Sequence, residues 1–144
     1  MANDWLITGT SSGFGRILAE LALERGDNVV ATVRKPSALD DLKERYGNRL
    51  RVSILDVTNP KEIVSVVDEA FDAFGKIDFA VSNAGYIMVG AAEEAELPRI
   101  ERLLDTNLWE ASYSRKPLFL TCASRAVAES CKSRASKVRW PILA

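Results

Sequence analysis

The chain has 144 residues, 47% of them hydrophobic and 27% charged, with no histidine and two cysteines. That is the composition of one ordinary globular domain. The missing imidazole excludes Ser-His-Asp triads, histidine zinc ligands and histidine general bases, and no metal site is expected. Cys122 and Cys131 form neither a C-x-x-C pair nor a disulfide framework and read as reduced thiols.

The amino end lacks the basic, apolar, small-residue progression of a signal peptide. No apolar run approaches the roughly 20 residues that cross a bilayer. A soluble, cytoplasmic protein is the expectation. The formal net charge of −1 hides an asymmetry. Residues 1–110 carry 12 Lys and Arg against 19 Asp and Glu, whereas residues 111–144 carry 7 against 1. All eight glycines lie at or before Gly90.

In chain order, Trp5–Thr8 is a short apolar run that stops at glycine, as a buried strand does. Phe14, Ile17, Leu18, Leu21 and Ala22 recur at helical spacing, and Gly26 is a stop signal. Val29–Val33 predicts a second strand, broken at Pro36, and Leu39 and Leu42 predict a short helix. Leu50–Leu55 predicts a third strand, with Val52, Ile54 and Leu55 its apolar members. Asn59 is placed to cap a helix that Pro60 opens, Glu62 sits where a capping box wants a carboxylate, and Gly75 ends it. Its buried stripe is Ile63, Val67, Ala70, Phe71 and Phe74. Ile77–Ser82 predicts a fourth strand, and Leu97, Ile100, Leu103, Leu104 and Leu108 a fourth helix.

Alternating strand and helix, with strands apolar nearly throughout, predicts an α/β fold: a Rossmann-like, doubly wound parallel sheet covered on both faces. A sheet truncated after about four strands is the expectation, and an order such as 3-2-1-4 would leave the fourth strand an open edge.

Between the first strand and first helix stands Thr8-Gly9-Thr10-Ser11-Ser12-Gly13-Phe14-Gly15. Glycines there allow a tight turn and let a phosphate approach the backbone. The helix start behind them offers unpaired N–H groups and a positive dipole end, and the Ser11 and Ser12 hydroxyls add donors. Placement at this junction points to dinucleotide binding. A triphosphate P-loop is excluded, because Arg16 follows the last glycine where Lys-Ser/Thr is required.

This spacing resembles the classical short-chain dehydrogenase/reductase family, over about residues 4–109, its amino-terminal half. Three more motifs follow in that family's order. Asp56-Val57 ends the third strand, where the resemblance implies an adenine contact. Asn83-Ala84-Gly85 follows the fourth strand, where it implies a brace for the sheet and a wall for the cofactor ribose. Asn107 lies on the fourth helix, where it implies an active-site asparagine. Each also suits a plainer role. Asp56 can begin the turn before the third helix, Asn83-Ala84-Gly85 can be a turn of left-handed dihedrals, and Asn107 can be a buried amide satisfied by backbone.

Charge bears on the cofactor. An acid about 20 residues after the glycines receives a ribose 2′-OH, whereas arginine suits a 2′-phosphate. Here the second strand ends in Thr32-Val33-Arg34-Lys35, with no acid. A guanidinium matches phosphate oxygens, so NADP(H) is expected over NAD(H). A solvated basic pair is the plainer alternative.

The resemblance also implies a serine after a fifth strand and a Tyr-x-x-x-Lys pair, in which lysine lowers the pKa of a proton-transferring tyrosine. None of Tyr46, Tyr86 and Tyr113 has a lysine four residues later, and Thr121–Arg125 echoes the motif with both reactive residues replaced. Read one base earlier, codons for Phe119–Cys122 can give Leu-Pro-Tyr-Met. Those for Ala128–Ser130 can give Gly-Arg-Ile, and those from Lys132 onward valine and two serines. These resemble family segments in their family order. A frameshift near Trp109–Ser112 is the resulting expectation. Residues 1–110 are then a partial NAD(P)-binding domain and residues 111–144 a non-native or disordered basic tail. A seven-strand sheet needs roughly 200 residues at about 30 per βαβ step.

The function expected is NADP-dependent carbonyl reduction or alcohol oxidation, present here as a cofactor-binding fragment that is inactive alone. A non-catalytic dinucleotide-binding or sensor module is the alternative. The partner expected for the intact enzyme is a small carbonyl or alcohol; a homo-oligomer is left open. No membrane is expected, and no nucleic acid, since the seven tail cations carry no binding motif.

Overall fold

The computed structural model describes residues 2–109. The expectations for Tyr113, for Cys122 and Cys131, for the Thr121–Arg125 echo and for the frameshifted tail lie outside the described residues.

Four parallel strands, β1 (Asp4–Ile7), β2 (Asn28–Val33), β3 (Leu50–Ile54) and β4 (Phe79–Val81), form one sheet in the order β3-β2-β1-β4. Helix α1 (Gly13–Glu24) connects β1 to β2. A 3-10 turn (Pro36–Leu39) running into α2 (Asp40–Tyr46) connects β2 to β3, and α3 (Pro60–Phe74) connects β3 to β4. Helix α4 (Leu97–Leu104) follows β4 and continues into a π-helical turn, Asp105–Trp109. The predicted doubly wound order is the observed one. No helix among the described residues is long and apolar enough to cross a membrane.

Strand side chains alternate between two cores. Leu6, Val30 and Ala80 face α3, against Ile63, Val66, Val67, Ala70 and Phe71. Ile7, Val29, Ala31 and Val33 face the other way, against α1 and α2. Each fully buried aliphatic or aromatic side chain contributes roughly 1.5–3 kcal/mol of transfer free energy, so both faces are held.

The start of α3 follows the sequence closely. Asn59 Oδ1 accepts from Lys61 N at 3.1 Å, and Gly75 closes the helix at φ +79°. Glu62 departs from a standard capping box. Its carboxylate accepts from Asn59 Nδ2 at 2.8 Å and from the Asp56 amide at 2.8 Å, so it tethers the end of β3 to the helix.

Two expectations are corrected. The face of α1 against the sheet is Gly15, Ala19, Ala22 and Leu23, while Phe14, Ile17 and Leu21 are exposed. Small residues let this helix approach the strands closely, which Phe14 and Ile17 would prevent. Ile54 is also exposed: it shares strand parity with Leu50 and Val52 but lies past the layer that α1 and α2 cover.

Candidate functional site

Strand β1 pairs with β2 on one side and β4 on the other, so chain order reverses there. In open parallel sheets the crevice beyond the carboxyl ends of the strands at such a reversal is the place for a ligand. A cleft of about 620 Å³ lies there, inside the range of roughly 300–1,000 Å³ usual for small-molecule sites.

Its floor is the turn from β1 into α1. Gly9 takes φ +68°, and a Cβ on it would lie 2.7 Å from Ala84 Cα. A Cβ on Gly15 would collide with Asn83 Nδ2 and sit 2.5 Å from the Gly9 carbonyl oxygen. These two glycines are therefore required by the packing of the turn itself. Gly13, at φ +60°, differs: a Cβ there would meet no heavy atom within 4 Å.

The turn is clamped from both neighbouring strands. Thr10 is fully buried and bonds through both its amide and its hydroxyl to the Thr32 carbonyl at 3.0 Å. Asn83 Nδ2 donates to the Thr8 and Gly9 carbonyls at 3.0 and 3.1 Å, and the Asn83 and Ala84 amides donate to Thr8 Oγ1 at 3.0 Å. The Asn83-Ala84 brace is thus a set of four bonds across the top of β1 and β4.

Behind this floor α1 begins without a cap. Ser12, at its N-cap, makes no side-chain cap bond, and the first turn holds no acidic residue. Its leading amides therefore face the cleft with the positive end of the helix dipole uncompensated. Bare Gly13, the uncapped amides and the Ser11 and Ser12 hydroxyls supply the donors and the space that a diphosphate requires. The residues fit that group.

The far wall comes from β2 and β3. Arg34, exposed at the end of β2, lines the cleft, as do Leu55, Asp56 and Val57. Asp56 plays the plainer role as well: its Oδ1 accepts from Thr58 Oγ1 at 2.7 Å and Thr58 N at 3.0 Å, opening the turn before α3. Those Thr58 hydrogen bonds, more than the burial that opposes them, hold its carboxyl below the usual value, helped by Arg102 and Arg34. Asp56 Oδ2 lies 3.5 Å from Arg102 of α4.

Of the residues singled out from sequence, the cleft gathers Gly9, Ser11, Ser12, Gly13 and Phe14 from the turn, with Asn83, Ala84 and Gly85 opposite. Gly15 is buried behind the turn. Asn107 does not line the cleft, although its neighbour Thr106 does. It is also not the buried amide that was one alternative: it is exposed, and it exchanges two bonds with the Tyr86 backbone, donating to the carbonyl at 2.8 Å and accepting from the amide at 3.1 Å. The pair ties the π-helical turn to the segment after β4. Arg102 and Thr106 line the cleft without having been singled out in the sequence, and so does Tyr86, which the sequence offered only as a tyrosine with no lysine four residues later. The only signal for Arg102 was a cation on a helix whose approach to β3 is set by tertiary structure.

Residues 4–114 match the model of the short chain dehydrogenase family. An oxidoreductase, BOA17, of Botryotinia fuckeliana is 37% identical over 117 residues, 81% of this chain and 43% of that protein. A 3-ketodihydrosphingosine reductase of Bacteroides thetaiotaomicron is 36% identical over 104 residues, 72% of this chain and 36% of its own length. The solved structure of a short-chain dehydrogenase from Streptomyces avermitilis superposes with a TM-score of 0.81 at 37% identity, covering 87% of this chain and 46% of that one. The chain thus spans less than half the length of these relatives.

Proposed function

The chain belongs to the short-chain dehydrogenase family, and from that premise we propose that it is the NADP(H)-binding portion of an oxidoreductase acting on carbonyls or secondary alcohols. The observation that carries this reading is the uncapped start of α1 behind bare Gly13, facing a cleft that Arg34 also lines. The first-turn amides, with Ser11 and Ser12, would hold the diphosphate. Asp56 and Val57 would line the adenine end, and Asn83-Ala84-Gly85 the ribose on the nicotinamide side. Arg34 would take the 2′-phosphate. The bound nicotinamide supplies or accepts the hydride.

Proton transfer needs groups that the described residues do not bring to the cleft. Tyr86 lines it, but the residue four positions later is Gly90. Asn107 would stand at the edge of the active site, a reading supported by its two bonds to the Tyr86 backbone. This chain is accordingly expected to bind the dinucleotide and not to turn over, with residues 1–110 as the binding unit and residues 111–144 read as a frameshifted, non-native tail. A reducing, cytoplasmic setting goes with this reading. A non-catalytic dinucleotide-binding module is the second reading, favoured by the absence of a lysine four residues after any tyrosine of the chain. Sequencing the coding region past codon 105 separates the two: a Tyr-x-x-x-Lys in the neighbouring frame supports the enzyme, and an in-frame stop without such text supports the module.

Calorimetric titration of the chain with NADP+ and NAD+ tests the binding. NADP+ should bind more tightly, and Arg34→Asp should shift the ratio toward NAD+ by about tenfold or more, near 1.4 kcal/mol. An unchanged ratio overturns the 2′-phosphate assignment, and binding of neither nucleotide overturns the whole reading.

A further inference from the structure

We propose that Arg16 is a positioning residue that sets cofactor preference from outside the cleft, by fixing the path of the backbone that follows Arg34. The inference rests on the reading of Arg34 as the 2′-phosphate ligand. Arg16 stands in the first turn of α1, immediately after Gly15, and does not line the cleft. Its guanidinium reaches away from the cleft, to the connection between β2 and α2. Nη1 donates to the Ala38 carbonyl at 2.9 Å, Nη2 pairs with the Asp41 carboxylate, and Nε pairs with Glu20 one turn along α1 at 3.0 Å.

Those bonds matter because of what lies between Arg34 and Ala38. Arg34, Lys35, Pro36 and Ser37 are all exposed, and Lys35, at the N-cap of the 3-10 turn, makes no side-chain cap bond. The next buried anchor is Leu39. A side chain that holds the Ala38 carbonyl therefore restrains the main chain four residues beyond Arg34, and it does so from the helix whose first amides face the diphosphate site. One side chain thereby links the two places where the adenosine half of the cofactor carries phosphate. Only an arginine has donors spread over a planar fork wide enough for three such partners.

Direct attraction of phosphate is a different role, and the surroundings argue against it. Two carboxylates flank the guanidinium and offset its charge. The two roles give opposite results when Asp41 is neutralised. A direct ligand, released from its carboxylate, would bind NADP+ more tightly in Asp41→Asn. A positioning residue, having lost one of its anchors, would let the connection loosen and weaken NADP+.

The experiment uses the full 144-residue chain and reads the ratio of NADP+ to NAD+ affinity by calorimetry, with circular dichroism to verify the fold. Arg16→Met should lower the ratio about fivefold with NAD+ affinity held within about twofold. Asp41→Asn should lower it in the same direction by about twofold to threefold, and Arg16→Lys should restore part of the loss. In an Arg34→Ala background, Arg16→Met should leave the ratio unchanged, because the side chain being positioned is gone. A ratio altered by Arg34→Ala but not by Arg16→Met overturns the positioning role and leaves the 2′-phosphate reading intact. Equal weakening of both nucleotides by Arg16→Met, or tighter NADP+ binding by Asp41→Asn, overturns it too. A ratio indifferent to Arg34→Ala overturns both. Should Arg16→Met fail to fold, the exposed Asp41 still decides, since its neutralisation removes only one arm of the fork.

Discussion

At the amino ends of the strands, acidic side chains are buried or half-buried and engaged by partners; at the carboxyl ends, glycines stand where side chains would be and a helix starts without a cap. Asp27 is only 3% exposed and accepts from Asn3 N at 3.0 Å and Trp5 Nε1 at 3.0 Å. Asp4 accepts from Asn28 Nδ2 at 2.8 Å, Asp78 accepts from the Asp4 amide at 2.9 Å, and Lys76 pairs with both aspartates. Trp5 stacks on Phe79 across β1 and β4, ring centroids 4.3 Å apart. A buried charge is tolerated when every partner is present, so the lower rim serves stability. The upper rim keeps donors unmatched, and that is what a ligand needs.

The comparison predicts that substitutions at the two rims separate stability from binding. Gly15→Ala should have the largest effect and the least selective one. Its Cβ meets backbone and the Asn83 brace together, and neither is a flexible end that could yield. A loss of about 2–3 kcal/mol in stability and about 100-fold or more in dinucleotide affinity is expected. Urea denaturation and calorimetric titration of the same variant check both.

Asp27→Ala should act on stability alone. Removing the carboxylate strands the Asn3 amide and the Trp5 indole N–H, at about 2 kcal/mol in urea midpoint analysis, with NADP+ affinity unchanged. Burial pushes the Asp27 carboxyl up, but bonds from Asn3 and Trp5 outweigh it and leave the group below its ordinary value of 3.8. A depressed carboxyl contributes stability that is present above pH 3.8 and lost as the pH falls through the folded-state value. Acid titration of the wild type should show that loss below about pH 4, and Asp27→Asn should flatten it. Asp56 carries a shift of the same sign at the upper rim, so part of the acid limb should survive in Asp27→Asn.

What was legible in the sequence follows the same division. Strands and helices were readable because apolar runs end at glycine, proline or asparagine, as at Gly9, Pro36 and Asn59, and these residues impose local geometry whatever surrounds them. The phosphate turn was readable for the same reason. The orientation of α1 was not: Phe14, Ile17 and Leu21 repeat at helical spacing, yet the face that meets the sheet is chosen by Gly15, Ala19 and Ala22, whose small size permits contact. The places of Arg102 and Tyr86 in the cleft were missed because they depend on where α4 and the segment after β4 come to rest. Asn107 was marked, but its bonds to the Tyr86 backbone join residues 21 apart, a pairing that no local pattern encodes.

The finest test of the division lies between two glycines of one turn. Gly13 shares positive φ with Gly9, but a Cβ at Gly9 would strike Ala84 whereas one at Gly13 would enter open space. Gly13→Ala therefore carries only the conformational cost of a left-handed residue, about 1 kcal/mol, and the fold should persist with a small fall in Tm. Affinity should suffer separately, by about tenfold, because the new methyl occupies the space beside the first amides of α1 where phosphate oxygens must approach. Equal, small losses in Tm and affinity would mean that the space beside Gly13 is a gap in packing rather than a cradle. The uncapped helix would then need a different explanation.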